Sequence, residues 1–280
     1  MSRIRLSVLA TIRLLIFATL LPLTMLAAEP ASTSVEAAGY QQVAAPGTLM
    51  SAFGTGFPAG DGIEESATAL PLPVILGGVQ VLIDSVPAPL LYVGVSPEGN
   101  FQINYQLPWD AAESATVEVS LDDTVITTES LTIGPVAPGL FSADGTGLGQ
   151  IAAQNFEGIG TVTVNNPANP IVQGGILTLY GTGTGATVDQ NTGLPGTPAT
   201  GEGAPGAPLY VTSTLPSITV GGLPATVLFS GLTPGLVGVW QINLQLDPAT
   251  PTGDSVPVVI TYGDLSIREG VTVAVKAASN

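Results

Sequence analysis

Short runs in which apolar and polar residues alternate, broken by Gly, Pro, Asp and Asn, make up most of the chain after residue 30. Alternation with period two puts successive side chains on opposite faces, as in a strand buried on one side. It predicts strands over Gly47–Phe53, Val79–Ile83, Leu90–Val95, Phe101–Leu107, Ala115–Leu121 and Ser130–Ile133. A second series covers Ile176–Tyr180, Ser217–Val220, Ala225–Phe229, Gly238–Leu246, Val256–Thr261 and Gly270–Val275. Between them a hairpin is predicted, Gln150–Gln154 against Thr161–Val164 across Glu157-Gly158-Ile159-Gly160. Apolar residues at helical spacing are almost absent. Many short strands separated by turn signals predict β-sandwiches.

The two series are a repeat. "MSAFGTGFPAG" from Met50 matches "LTLYGTGTGAT" from Leu177, and "LGGVQV" from Leu76 matches "VGGLPA" from Val220. "GNFQINYQLPW" from Gly99 matches "GVWQINLQLDP" from Gly238. "ATVEVSLDDTVITTESLTIG" matches "DSVPVVITYGDLSIREGVTVA" with about one residue of slippage. The order of the four blocks is kept, and each unit has the size of an immunoglobulin-like sandwich. The expected organisation is a signal peptide over 1–28, one unit over 29–137, a connector with a hairpin over 138–170 and a second unit over 171–280. Lengths differ in turn-rich segments, chiefly the Gly-, Pro- and Thr-rich stretch Thr187–Leu215 of the second unit, as surface loops allow. That stretch is expected to be either a specificity loop or a mobile spacer. Pro257 cannot donate to a ladder, so its strand is expected at an edge or to start there.

The Gln-Ile-Asn phrase divides cleanly by face. Phe101, Ile103, Tyr105 and Leu107 point one way, as do Trp240, Ile242, Leu244 and Leu246; these rows belong in the cores. Gln102, Asn104 and Gln106 point the other way, as do Gln241, Asn243 and Gln245. One reading has the amides satisfying the backbone of a crossing loop, since they both donate and accept. The other makes them a ligand-binding row for sugar hydroxyls, with Trp109 as the stacking aromatic; the second unit has Pro248 in that place.

Charge narrows the partners. Arg3, Arg5 and Arg13 precede an apolar run, Leu14–Leu26, and small residues at Ala27-Ala28, the layout of a cleaved secretory signal. The run is shorter than the roughly 20 residues a spanning helix needs. The chain is therefore expected to be secreted or held at the cell surface, without membrane insertion after cleavage. Only Arg268 and Lys276 then remain against 21 acidic residues, a net charge of −19. Such a surface offers nothing to phosphates, so nucleic acid is excluded as a partner. With no Cys, stability must come from packing.

Catalytic chemistry finds few residues. The chain has no His and no Cys, and its single Lys lies near the C-terminus. Gly253-Asp254-Ser255 therefore lacks the base a nucleophilic Ser needs. Gly181-Thr-Gly-Thr-Gly and Gly145-Thr-Gly-Leu-Gly lack the spacing and Lys of phosphate loops and are read as turns. No catalytic residue and no cofactor is expected. Zinc and copper are disfavoured; Asp61, Glu64, Glu65 and Asp144 are the nearest oxygen ligands for calcium, without a known calcium-loop pattern.

The blocks GTG, "FQINYQLP", "APGLF" (137–141), "NNPANP" (165–170), "TLYGTGTG" and "GVWQINLQLDP" resemble the Solibacter-type C-terminal domain family of secreted acidobacterial proteins. Each half is also similar to IPT/TIG immunoglobulin-like domains, through a Gly-rich opening strand, "GGILTLYGTGTG" here. The resemblance implies an all-β fold of two tandem immunoglobulin-like β-sandwich units and brings no catalytic motif with it. In that family the unit often ends a larger protein; here it is expected to stand alone behind its signal. The expected function is non-catalytic: a secreted or surface module for structural or protein–protein contact. The alternatives are a carbohydrate-binding module with a polysaccharide partner and, more remotely, a glycoside hydrolase working with carboxylates alone.

Overall fold

The computed structural model describes residues 30–158 and 160–278. The signal-peptide reading of residues 1–28 lies outside them. Among the described residues every regular element is a strand.

The first unit contains β1 (Ala31–Glu36), β2 (Leu49–Thr55), β3 (Ile63–Ser66), β4 (Val79–Ile83), β5 (Leu90–Val95), β6 (Asn100–Gln106), β7 (Ser114–Leu121) and β8 (Thr124–Thr132). The second contains β9 (Ala153–Gly158), β10 (Thr161–Val164), β11 (Ile176–Thr182), β12 (Thr187–Asp189), β13 (Tyr210–Thr212), β14 (Ser217–Val220), β15 (Thr226–Leu232), β16 (Trp240–Gln245), β17 (Gly253–Tyr262) and β18 (Val271–Lys276). Each unit closes two sheets over a core. In the first, β1-β2-β6-β5-β3 faces a sheet built on β4-β7-β8. In the second, β10-β9-β11-β16-β15-β13-β12 faces a sheet built on β18-β17-β14. The molecule is two immunoglobulin-like sandwiches in tandem.

The twin phrase supplies the middle strand of each larger sheet, β6 and β16, and its apolar row is buried throughout. Burying side chains of this size contributes roughly 1.5–3 kcal/mol each, so these rows anchor the cores. Where Phe101 stands in the first unit, the second carries Trp240. The larger ring brings a donor that needs a partner in the core. Its Nε1 donates to Ser230 Oγ at 2.9 Å, and Thr212 Oγ1 donates to the same hydroxyl.

Three expectations change in the structure. The predicted hairpin forms as β9 and β10, and Gln150 leaves it to lie parallel to β18. The connector does more than carry that hairpin: β9 pairs along β11 as β1 pairs along β2, so segment 138–170 supplies strands to the second sandwich. Asn165 fixes it there, donating to Asn155 and to the Ala274 carbonyl and accepting from Ala274 N–H.

Secondly, the two Gly-Gly pairs are not equivalent. Gly221-Gly222 turns β14 into the short strand Leu223–Pro224. The counterpart in the first unit is Asp84-Ser85, which turns β4 into Val86–Pro87 with φ of 49° and 68°. Asp tolerates the left-handed region better than most residues, so the turn is kept without glycine and "IDSVPAPLLYVGV" is the true partner of "VGGLPATVLFSGL". The aligned strands even share a bulge, at Leu91 and Leu228.

Thirdly, Pro257 lies within an interior strand, not at an edge. It sits where β17 hands over from β18 (Gly253–Pro257) to β14 (Val258–Thr261), so its missing N–H falls at the change of partner.

Trp240→Ala empties the most voluminous fully buried site and leaves the Ser230–Thr212 hydroxyl pair without its indole donor. We expect a loss of about 3–5 kcal/mol, seen as early melting of the second unit in thermal denaturation, with Ile242→Asp abolishing that transition.

Candidate functional site

The two amide rows lead different lives. Gln102, Asn104 and Gln106 are buried, at 2%, 3% and 0% exposure. Gln241 and Asn243 are half-buried and Gln245 is exposed. The difference is what lies on top. The second unit packs on the outer face of the first unit's large sheet, and a third apolar cluster forms between them from Ala38, Leu49, Phe141, Ala152, Tyr180 and Val239. Leu91 and Leu236 border it. What space is left over the row, between Ser51, Asn104, Leu91 and Phe141, has a volume of about 10 Å³, about one water molecule.

Within this seam the amides meet protein groups, though Gln102 Oε1 and Gln106 Nε2 are buried without a hydrogen-bond partner. Asn104 Oδ1 accepts from Ser51 Oγ at 2.8 Å and from Gln102 Nε2 at 3.2 Å. Gln106 Oε1 accepts the backbone N–H of Gly201 at 2.7 Å. Gly201 belongs to the long stretch Thr187–Leu215, so the loop of one unit is held by the amide of the other. The loop is also tied by Gly201 C=O to Leu72 N–H and by Thr200 Oγ1 to Trp109 N–H. On its own unit it is tied at Ala204, which exchanges hydrogen bonds with Leu236 and Gly235. It is a strap across the junction, and the spacer alternative fails. In the second unit Gln241 Nε2 donates to Asn243 Oδ1, and Gln245 reaches only the Gly174 carbonyl, at 3.3 Å.

Trp109 does not stand free as a stacking platform. Its ring lies against Gly47, where a Cβ would collide with it. Pro248 lies likewise near Gly174. A pair that sequence reasoning passed over flanks each row instead. Tyr92 lies across Gly94 beside Asn104, and Phe229 lies across Gly231 beside Asn243. The aromatic-x-Gly spacing of "YVG" and "FSG" is the signal that finds them.

Glu36 is the other residue missed, because a lone acid in a Ser-rich strand gives no warning. It is fully buried at the junction. Its carboxylate accepts the N–H groups of Ala38, Gly39 and Gln41. Gly139 of the second unit presses on it where any side chain would clash. Arg268 donates to the Gly39 carbonyl nearby. Burial pushes the Glu36 pKa up to about 7, against the lowering by those N–H groups and by Arg268. Beside it Tyr40, raised to about 12 by burial and by the Glu36 and Asp144 charges, donates to the Gly145 carbonyl. The glycines once resembling phosphate loops are here explained. Gly183 and Gly185, both at positive φ, let Pro135–Ala137 cross them at a distance no Cβ permits.

The calcium candidates scatter. Asp61 precedes β3, and Glu64 and Glu65 alternate along it. Asp144 lies in a different turn, accepting from Thr146 N–H and hydroxyl. Among the described residues no three carboxylates gather as a metal site.

No family model matches this chain, and no curated protein matches it. Among solved structures it is similar to the tandem Ig repeats of Dlar, at 10% identity, over 90% of this chain and 100% of that one, with a TM-score of 0.21. A score that low carries no argument, and the fold assignment rests on the strand pairings above.

Two outcomes test the junction. Gln106→Leu strands the Gly201 N–H, a loss of about 1–3 kcal/mol, and hydrogen exchange at Gly201 accelerates; Gln245→Leu leaves its neighbours unchanged. Glu36 should also give a pH signature. Its folded pKa of about 7 lies above the unfolded 4.5. Its contribution is thus complete below pH 4.5 and is lost as pH rises through 7, by about 3 kcal/mol at most. Thermal melts at several pH values should show that loss in the wild type and not in Glu36→Gln.

Proposed function

We propose that this chain is a non-catalytic module, exported through a cleaved signal and acting outside the cell or at its surface by making contacts. The observation that carries this is the fate of the repeated phrase. In the first unit, its polar row is already a contact surface between two sandwiches of the same chain, closed by an immunoglobulin-like neighbour. The fold supports the same use of the second. The order of sequence blocks supports grouping the chain with the Solibacter-type secreted proteins.

A carbohydrate-binding reading keeps one specific support. Gln241, Asn243 and Gln245 remain accessible beside the Phe229 ring, and amides beside an aromatic ring suit sugar hydroxyls and ring faces. The two readings separate by experiment. We expect the mature chain, immobilised and exposed to the envelope and culture proteins of its source, to retain a defined protein. We expect no signal for it on an array of neutral and acidic polysaccharides. Polysaccharide binding that disappears in Asn243→Ala would replace the contact reading with the carbohydrate one.

A further inference from the structure

The covered face of the first unit has an uncovered twin. Strand register makes Ile176 the counterpart of Leu49, since each sits opposite the last Gln of its phrase. The shared bulge makes Leu228 the counterpart of Leu91. Leu49 is 2% exposed and Leu91 packs into the inter-unit cluster. Leu228 is 51% exposed, and Ile176 is only half-buried. The residues that hold the second unit on the first are repeated on the second, where none of the described residues covers Leu228 as Leu91 is covered.

That face is also free of charge. Register aligns Val164, Gln154, Thr178, Asn243 and Phe229 across five strands. The next row is Val162, Phe156, Ile176, Gln245 and Thr226. No Asp, Glu, Lys or Arg occurs among these ten, in a chain that carries 21 acids. Glu157 follows Phe156 but pairs with Thr163, on the opposite side of the sheet. Phe156 and Val164 are 42% and 45% exposed. The face continues into the established junction, because Tyr180 of the inter-unit cluster donates to Gln154 at 2.9 Å.

We propose that this face of the second unit is a self-association surface, taking the same face of a second copy across a two-fold axis. The proposal rests on the contact-module reading above. Three physical reasons select a second copy. Amides donate and accept alike, so Asn243 and Gln245 can pair with their own copies. A two-fold contact requires only this self-complementarity. Two chains each at −19 repel wherever acids meet, and this neutral face is where they can approach. Five strands at about 4.8 Å and side-chain rows about 6.8 Å apart give a footprint of roughly 300 Å² per copy, well below the ~800 Å² of a standard interface. The pairing is therefore weak and reversible. It strengthens with salt, which screens the like charges; a cationic partner would show the reverse.

The test is sedimentation equilibrium on the mature chain from about 5 to 500 µM, a range suited to weak pairing, at low and high salt. We expect the average mass to climb toward that of a dimer with concentration, and further in high salt. Leu228→Glu and Phe156→Glu, each with an unchanged melting temperature, should stay monomeric. Val125→Glu, an equally exposed site on the first unit's other sheet, should associate like the wild type. A wild type that stays monomeric throughout, or variants that dimerise as it does, overturns the proposal. A monomer that retains a partner protein, lost with Leu228→Glu, overturns self-association and leaves the contact reading standing. A monomer that binds polysaccharide through the face overturns both.

Discussion

The hydrogen bond from Gly201 N–H to Gln106 Oε1, and the apolar seam around it, decide the character of this molecule. A buried amide oxygen facing no donor would cost about 1–3 kcal/mol. The strap that meets it comes from the second unit. It brings Thr200 to the Trp109 backbone, while Leu236 and Val239 pack near Leu49 and Leu91. Without that cover, Gln102, Asn104 and Leu49 would lie on an open sheet. With it they become interior, and two sandwiches share a third core between them.

The same constraint explains the tight approaches at the junction. Gly139 must press on the Glu36 carboxylate, and Gly183 and Gly185 must let Pro135–Ala137 cross. Glycine is required by the carboxylate at the first position and by crossing backbone at the other two. The buried Glu36 holds the loop after β1 through its N–H acceptor role, and Tyr40 then reaches the 142–147 turn of the second unit. Junction and fold are thus one packing problem: the segment that opens the second sandwich also closes the first.

The asymmetry of the repeat follows from this. Identical amide rows lie on equivalent strands, yet one is interior and one is surface. Only the second unit carries the insertion over Thr187–Leu215, so only the first unit's face receives a strap. The repeated sequence provides two similar surfaces, and among the described residues the second unit closes the first unit's.

Much of the fold was legible in the alternation alone. All twelve predicted strands overlap observed ones, several running a residue or two past their ends, and the faces of both phrases are as read, because burial on one side leaves a period of two in the residue types. Turn chemistry misled where glycine identity stood in for geometry. Asp84-Ser85 occupies the conformation that Gly221-Gly222 occupies, and alternation does not record φ. The strand β1, the pairing of β9 with β11, and the interior place of Pro257 were not readable, since each depends on which strand lies alongside.

For the site, sequence determined that six amides share two strand faces, that Leu228 and Leu91 sit among apolar runs, and that the chain is strongly acidic. Tertiary structure alone decided which amides are covered, that Trp109 is packed and not presented, and that Glu36 is buried beneath Gly139. The reason is physical. Periodicity reports the face a residue takes within its own sheet, whereas contact between sheets is set by residues a hundred positions away, with no local pattern to announce them.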